Sequence, residues 1–472
     1  MFSDSVDPAM LRHHGDVEAR PGMVDFAVNV QGIAPPRWLR ERLAARLTDL
    51  GRYPSAADEH AARAAVAARH ARSPDEVLLL AGAAEGFAML PRLAPRLAAV
   101  IHPSFTEPEL ALREADVPVT RVILDRPYTL DPTLVPDEAD LVVLGNPTNP
   151  TSILHPAATI QALRRPGRIV VIDEAFADAV VARSATPPAM SSTRSAADSV
   201  YAAGPADAPG GSPAQRSRAE GGTGDGVPYG GLSIPSGPGA DGTATAHGSD
   251  DRTGVRGRAE GEPESLAGLS APDVLVFRSL TKTWALAGLR CGYALGDPEV
   301  LARLTHGRPH WPLGTLQLEA IIATAEPSAV AQSRRYADRI AADRTAMIDR
   351  LTALGLDVHT PAIGPFLLLR VPDGELVRKR LADRGIAVRR ADTFPGLGPD
   401  HLRVAVRGAA EVDVLIDALN AALCGESPTA TPNAAESVSP VGTVGLCAQA
   451  RAGRCHGLPK CLRGKVIGWT DT

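Results

Sequence analysis

No stretch of this sequence approaches the roughly 20 consecutive apolar residues that a membrane-spanning helix requires. The opening MFSDSVDPAMLRHHGDVEARPG also lacks the apolar core of a secretory signal. Neither sign of charge dominates: 49 Lys and Arg stand against 54 Asp and Glu. With a pI near 6.2, the chain has no global electrostatic reason to gather nucleic acid or an acidic membrane. Cysteines are few and weighted to the end, at Cys291, Cys424, Cys447, Cys455 and Cys461. Their odd number and spacing match neither a secreted disulfide framework nor a zinc site. Aromatic residues make up only 4%. Together these absences point to a soluble cytoplasmic protein with no membrane, nucleic-acid or metal partner.

What is plentiful is organised unevenly. Apolar residues reach 44%, enough for a large core, while 44 glycines and 41 prolines imply much irregular chain. Residues 35–50 and 58–71 read as amphipathic helices. EVLLLAG, RLAAVIHP, ADLVVLGNP and GRIVVIDEA read as short apolar strands, each closed by Gly, Pro, Asn or Asp. Such strands alternating with helices predict an α/β fold with a mainly parallel sheet covered on both faces. The rhythm stops near Ser184 and resumes at PDVLVFRSL. Residues 185–262 between them, rich in Gly, Ser, Ala, Pro and Asp, read as a disordered insertion, with a small ordered flap as the alternative.

The expected organisation is an N-terminal segment 1–24, a large domain from 25–184 and 263–325, and a small α/β domain 326–425. Helices are expected at 297–306, 314–324 and 327–354, and then the pattern FLLLRV, ELVRKRLADRG, IAVRRAD, HLRVAVR and EVDVLIDALNAAL. Residues 426–472 read as a disordered tail.

The stretch VFRSLTKTWALAGLRCGYALG holds the strongest chemical signal. Lys282 closes an apolar strand three residues after Ser279 and eight before Arg290. A lysine placed so can carry a Schiff base if its surroundings desolvate it and hold its carbonyl partner. For pyridoxal 5′-phosphate the chain must also supply a phosphate cup, a carboxylate for the pyridine nitrogen, a donor to the phenolic oxygen and a surface for the ring. Ser279, Arg290 and the turn AGAAEGF offer the cup. Asp173 in VVIDEAF offers the carboxylate, although alone it reads as a helix cap or turn residue. Asn149 in GNPTNPTS sits in a turn stiffened by two Asn-Pro pairs. Phe105 in HPSF offers the ring surface, or simply core packing.

SLTKTWALAGLRCGY resembles the lysine motif of the class I/II aminotransferases of fold type I. NPTNPTS, DEAF and GAAEGF follow in the order usual for that family. The resemblance covers most of residues 25–425. It implies a fold-type I transferase, with a large cofactor-binding domain, a small C-terminal domain and a homodimer with active sites at its interface. It implies that Lys282 links the cofactor and shuttles protons, Asp173 pairs with the ring nitrogen, Asn149 bonds the phenolic oxygen and Phe105 stacks on the ring. Ala83, Ala84, Ser279 and Arg290 would hold the phosphate, and Tyr53 would reach the neighbouring subunit's cofactor phosphate. Arg403 in HLRVAVR would clamp the substrate carboxylate.

Within the family the chain is similar to histidinol-phosphate aminotransferases and to the threonine-phosphate decarboxylases of cobalamin biosynthesis. HHGDVEARPGMVDFAVNV resembles the decarboxylase opening, except that Asp16 replaces a glycine and NVQG departs from the pattern. Asn29 is its one polar candidate for substrate contact. Phe176 stands where most transaminases have a tyrosine. Arg389 and Arg390 could hold a substrate anion or be exposed charges. Transamination and decarboxylation remain open alternatives at this point, as does a non-catalytic regulatory or scaffold role.

Overall fold

An unbroken apolar strand can bury both faces only inside a sheet covered by helices on each side. The computed structural model describes residues 8–181 and 262–425, all within one compact unit. The expected insertion, apart from Glu262, and the tail with Cys447, Cys455 and Cys461 lie outside the described residues. In chain order the strands are β1 (Val24–Asp25), β2 (Val77–Leu80), β3 (Ala98–His102), β4 (Val119–Ile123), β5 (Leu141–Gly145), β6 (Ile169–Asp173) and β7 (Val274–Ser279). They continue as β8 (Gly292–Leu295), β9 (Asp357–Val358), β10 (Phe366–Arg370), β11 (Ile386–Ala387), β12 (Arg389–Arg390) and β13 (His401–Ala405).

Seven strands form the main sheet in the order β2-β8-β7-β6-β5-β3-β4. All neighbouring pairs from β7 to β4 are parallel, and β8 runs antiparallel to both β7 and β2. Side chains alternate between two cores, as a period of two requires. Val142, Leu144, Val170, Ile172 and Val276 enter one core. Leu141, Val143, Val171, Leu275 and Phe277 enter the other. A third core gathers around the four-stranded sheet β12-β13-β10-β9. The N-terminal segment joins this part of the chain, because β1 pairs with β11. No helix among the described residues is long and apolar enough to cross a membrane.

Several elements differ from the sequence reading. The helix expected over 35–50 ends at Ala45 and continues as a 3-10 turn, Leu47–Gly51. There Arg46 is fastened to Asp49, Asp58 and Glu319, which draws the chain off the helical path. The segment IAVRRAD is not one strand. Ile386–Ala387 pairs with β1, whereas Arg389–Arg390 pairs with β13. Strand β4 was not foreseen, since its edge position leaves it half-exposed and mixed in character.

Beneath the sheet end, Arg278 is buried among Glu174 (3.1 Å), Glu262 (2.7 Å) and Asp178. Arg69 shares Asp178 and Glu262 at 2.7 and 2.8 Å. Removing one cation here strands buried carboxylates, which typically costs about 3–5 kcal/mol. Arg278→Ala is therefore expected to lower the thermal midpoint by several degrees or more. A melting curve unchanged from wild type would contradict that.

Candidate functional site

Parallel strands point their carboxyl ends to one edge, and ligands of open α/β sheets bind there. The register places Gly145 beside Asp173, and Asp173 beside Phe277, two residues before Ser279. Asp173, the Asn149 turn and Lys282 therefore follow the same edge of β5, β6 and β7. Strand β2 runs parallel to β7 because two reversals separate them, so the Gly82–Ala84 turn emerges on that edge too. The reversed strand β8 starts there, which brings Arg290 to the same place.

Two glycines make this convergence possible. A Cβ on Gly292 would lie 2.7 Å from the Arg278 carbonyl oxygen and 3.0 Å from the Ala83 nitrogen, so only glycine lets β8 begin against that turn. Gly82 adopts φ +82°, and a Cβ there would sit 2.7 Å from Arg290 Nη2. The guanidinium thus closes directly over the turn whose backbone N–H groups open the helix Ala83–Met89. Ser279 is buried next to them, its hydroxyl accepting from the Thr281 N–H at 3.3 Å.

Burial and the charges of Arg403 and Arg290 push the Lys282 amine down to about 8. Burial pushes the Asp173 carboxyl up to about 6, opposed by a 3.0 Å bond from the Ala175 N–H and by the charge of Lys282. The two groups act on each other's charge, as a shared site requires. Lowering the lysine raises its neutral, nucleophilic fraction. Acetylation of Lys282 by acetic anhydride in cofactor-free protein is expected to rise tenfold per pH unit and level off near pH 8. A midpoint near the ordinary 10.5 would show that the amine is solvated.

Arg403 is buried, lies 5.7 Å from the centre of the Phe366 ring, and donates from Nη1 to Asn149 Oδ1 at 2.8 Å. Its Nη2 donates to the Ala27 carbonyl. Phe176 packs edge-on against Phe366 at 4.9 Å. Asn29 is buried, and among the described residues neither its Oδ1 nor the buried hydroxyl of Thr281 has a hydrogen-bond partner. Phe105 is half-buried between Phe87 (6.0 Å) and His14 (5.4 Å).

Three expected residues have different company. Arg389 is buried with its guanidinium donating to the carbonyls of Arg390 (2.7 Å) and His13 (2.6 Å) and to Thr393 Oγ1 (2.6 Å). Arg390 is bound by Asp392. Tyr53 is 75% exposed and stacks on exposed Trp311 at 4.5 Å. Sequence reasoning passed over His14, Trp311 and Phe366. The His-His doublet and an isolated exposed tryptophan were the signals available for the first two.

Pyridoxal 5′-phosphate fits this set. The cradle over Gly82 combines a guanidinium with backbone donors, and the Thr281 hydroxyl, without a partner among the described residues, leaves polar capacity next to the lysine. Among the described residues no cluster of His, Cys, Asp and Glu could hold a metal ion.

Residues 22–200 and 244–419 match the family described as aminotransferase class I and II. A histidinol-phosphate aminotransferase of Mycobacterium tuberculosis is 45% identical over 404 residues, covering 86% of this chain and 89% of that protein. A threonine-phosphate decarboxylase of Salmonella typhimurium is 24% identical over 421 residues, covering 86% and 93%. The crystal structure of the histidinol-phosphate aminotransferase from Clostridium acetobutylicum superposes with a TM-score of 0.62 at 19% identity, covering 84% of this chain and 97% of that one.

Proposed function

This chain belongs to the class I and II aminotransferase family, and from that premise we propose that it is a transaminase whose amino donor is a small phosphorylated amine of the histidinol-phosphate type. The family depends on pyridoxal 5′-phosphate, which when bound supplies an electron sink for the pair left on the substrate's Cα. Lys282 would hold its aldehyde carbon, Asp173 its ring nitrogen, Asn149 its phenolic oxygen and Phe105 its face. Ala83, Ala84, Ser279 and Arg290 would hold its phosphate.

The chain's own residues then divide the work. Lys282, with its amine near 8, can take a proton from Cα and return it close to neutral pH. Asp173 would favour a proton on the ring nitrogen by holding a negative charge beside it. Arg403 receives the carboxylate of the oxo-acid, with Asn29 as a further polar contact.

The observation that carries the reading is the 2.8 Å bond from Arg403 to Asn149. It holds the arginine beside Asn149, where it would meet the carboxylate of the oxo-acid while Asn149 meets the phenolic oxygen. Histidinol phosphate carries no carboxylate, so with that donor the bond broken at Cα would be Cα–H, as transamination requires. Decarboxylation of threonine phosphate is the second reading, supported by Phe176 in place of a tyrosine and by the Salmonella relative. Histidinol phosphate with 2-oxoglutarate is expected to yield glutamate. Carbon dioxide from threonine O-3-phosphate, released without any oxo-acid, would select the second reading instead.

The proposal includes a homodimer in which Tyr53 serves the neighbouring subunit's site. The exposed Tyr53–Trp311 stack supports it, since two large aromatic faces in water favour a partner. Trp311→Glu is expected to shift sedimentation toward the monomer and to lower activity with it. A fully active monomer would rule the shared site out.

A further inference from the structure

The turn at the end of β2 that would hold the cofactor phosphate is fastened by a pair of charges outside the cup. Glu85 reaches back along the chain, and its Oε2 accepts from the Ala81 N–H at 2.6 Å. Arg308 grips both oxygens of that carboxylate, from Nε at 2.9 Å and from Nη2 at 2.8 Å. β2 is the outer strand of the main sheet, and Arg308 Nη2 also donates to its Leu79 carbonyl at 2.9 Å. One guanidinium thus ties β2 to the turn that leaves it. The Arg308 side chain is 9% exposed and that of Glu85 25%, so salt and water screen the pair weakly. Arg290, which closes over Gly82, is different: no carboxylate pairs with it among the described residues.

A carboxylate bonded into an anion-binding turn is a liability. Left alone, Glu85 would repel a phosphate dianion held by the next residues of the turn. Paired with Arg308, it keeps its hold on the Ala81 N–H without that repulsion. We propose that Arg308 is a positioning residue for cofactor binding: it sets the Ala81–Ala84 turn through Glu85 and Leu79 and cancels the Glu85 charge beside the phosphate. This rests on the assignment of Ala83, Ala84, Ser279 and Arg290 to the phosphate cup. Arg308 lies 223 residues from Glu85 in the chain, so no local spacing marks the pair.

The test titrates cofactor-free full-length protein at low ionic strength with pyridoxal 5′-phosphate and, separately, with pyridoxal, which lacks the phosphate. Arg308→Gln is expected to weaken pyridoxal 5′-phosphate about tenfold and pyridoxal by about twofold or less, and added salt should shrink the loss. Glu85→Gln keeps an oxygen for the Ala81 N–H and leaves Arg308 unopposed, so it should tighten pyridoxal 5′-phosphate severalfold. The double variant is neutral again and should bind close to wild type. A purely structural role would weaken both ligands together; that result, or unchanged affinity in both single variants, overturns the proposal. If Arg308→Gln does not fold, Glu85→Gln decides alone, since only relief of a charge facing the phosphate raises its affinity. Arg290→Gln distinguishes the pair from the cup. A phosphate-dependent loss there, with none at Arg308 and Glu85, sinks the pair and keeps the cup, whereas no loss at Arg290 sinks both. If the loaded enzyme makes no glutamate from histidinol phosphate while the opposed shifts appear, the role of the pair stands and only the assigned reaction falls.

Discussion

Lys282→Ala is expected to abolish the visible absorbance of the cofactor-loaded protein and to lower turnover by about four orders of magnitude or more. Both functions proposed for the residue, covalent attachment and proton transfer at Cα, disappear together, and a positioned acid–base group alone is worth about 10²–10⁴-fold. The fold should survive. Burial and the charges of Arg403 and Arg290 already disfavour the lysine's positive charge, so removing it relieves more repulsion than the attraction to Asp173 that it gives up. The contrast with Arg278→Ala is diagnostic: one substitution should remove activity without stability, the other stability first. An unchanged visible band, or turnover within tenfold of wild type, would refute the assignment.

Asp173→Asn is expected to act in a related way on the other side of the ring. The amide keeps the shape but cannot hold the ring nitrogen's proton, and turnover should fall about 10²–10⁴-fold. Without cofactor, the variant should be more stable than wild type at pH 7. The native carboxyl is raised to about 6 from an ordinary 3.8, so the folded protein binds the proton more tightly than the unfolded chain. That contribution favours folding fully below about pH 4 and is lost as pH rises through 6, amounting to about 3 kcal/mol. Asparagine does not lose it. Paired melts at pH 4 and pH 7 measure the effect, and a gap between variant and wild type that does not widen with pH would contradict the burial argument. Stability sacrificed for a charge at this position is typical of functional sites.

Much of this architecture is readable without coordinates. IVVID, LVVLG and VLVFRS are continuous apolar runs ended by polar or turn residues, and interior parallel strands are made of such runs. Their ends are where Asp173, the Asn149 turn and Lys282 appear. Short or edge elements were harder. β8 is four residues opened by Gly292, and nothing local marks it as the strand that reverses the sheet and delivers Arg290. IAVRRAD looks uniform, yet its halves pair with different partners.

The covalent sequence alone therefore determined the family and the alternating strands and helices, and pointed to Lys282 and Asp173 as the candidate pair, because periodicity and motif spacing are local properties. Tertiary structure decided what each arginine does. Arg403 and Arg389 are both buried strand residues of one small sheet, but one donates to Asn149 and the other to the His13 carbonyl more than 370 residues away. A guanidinium takes its role from the acceptors that folding brings within 3 Å, and those acceptors are distant in the chain.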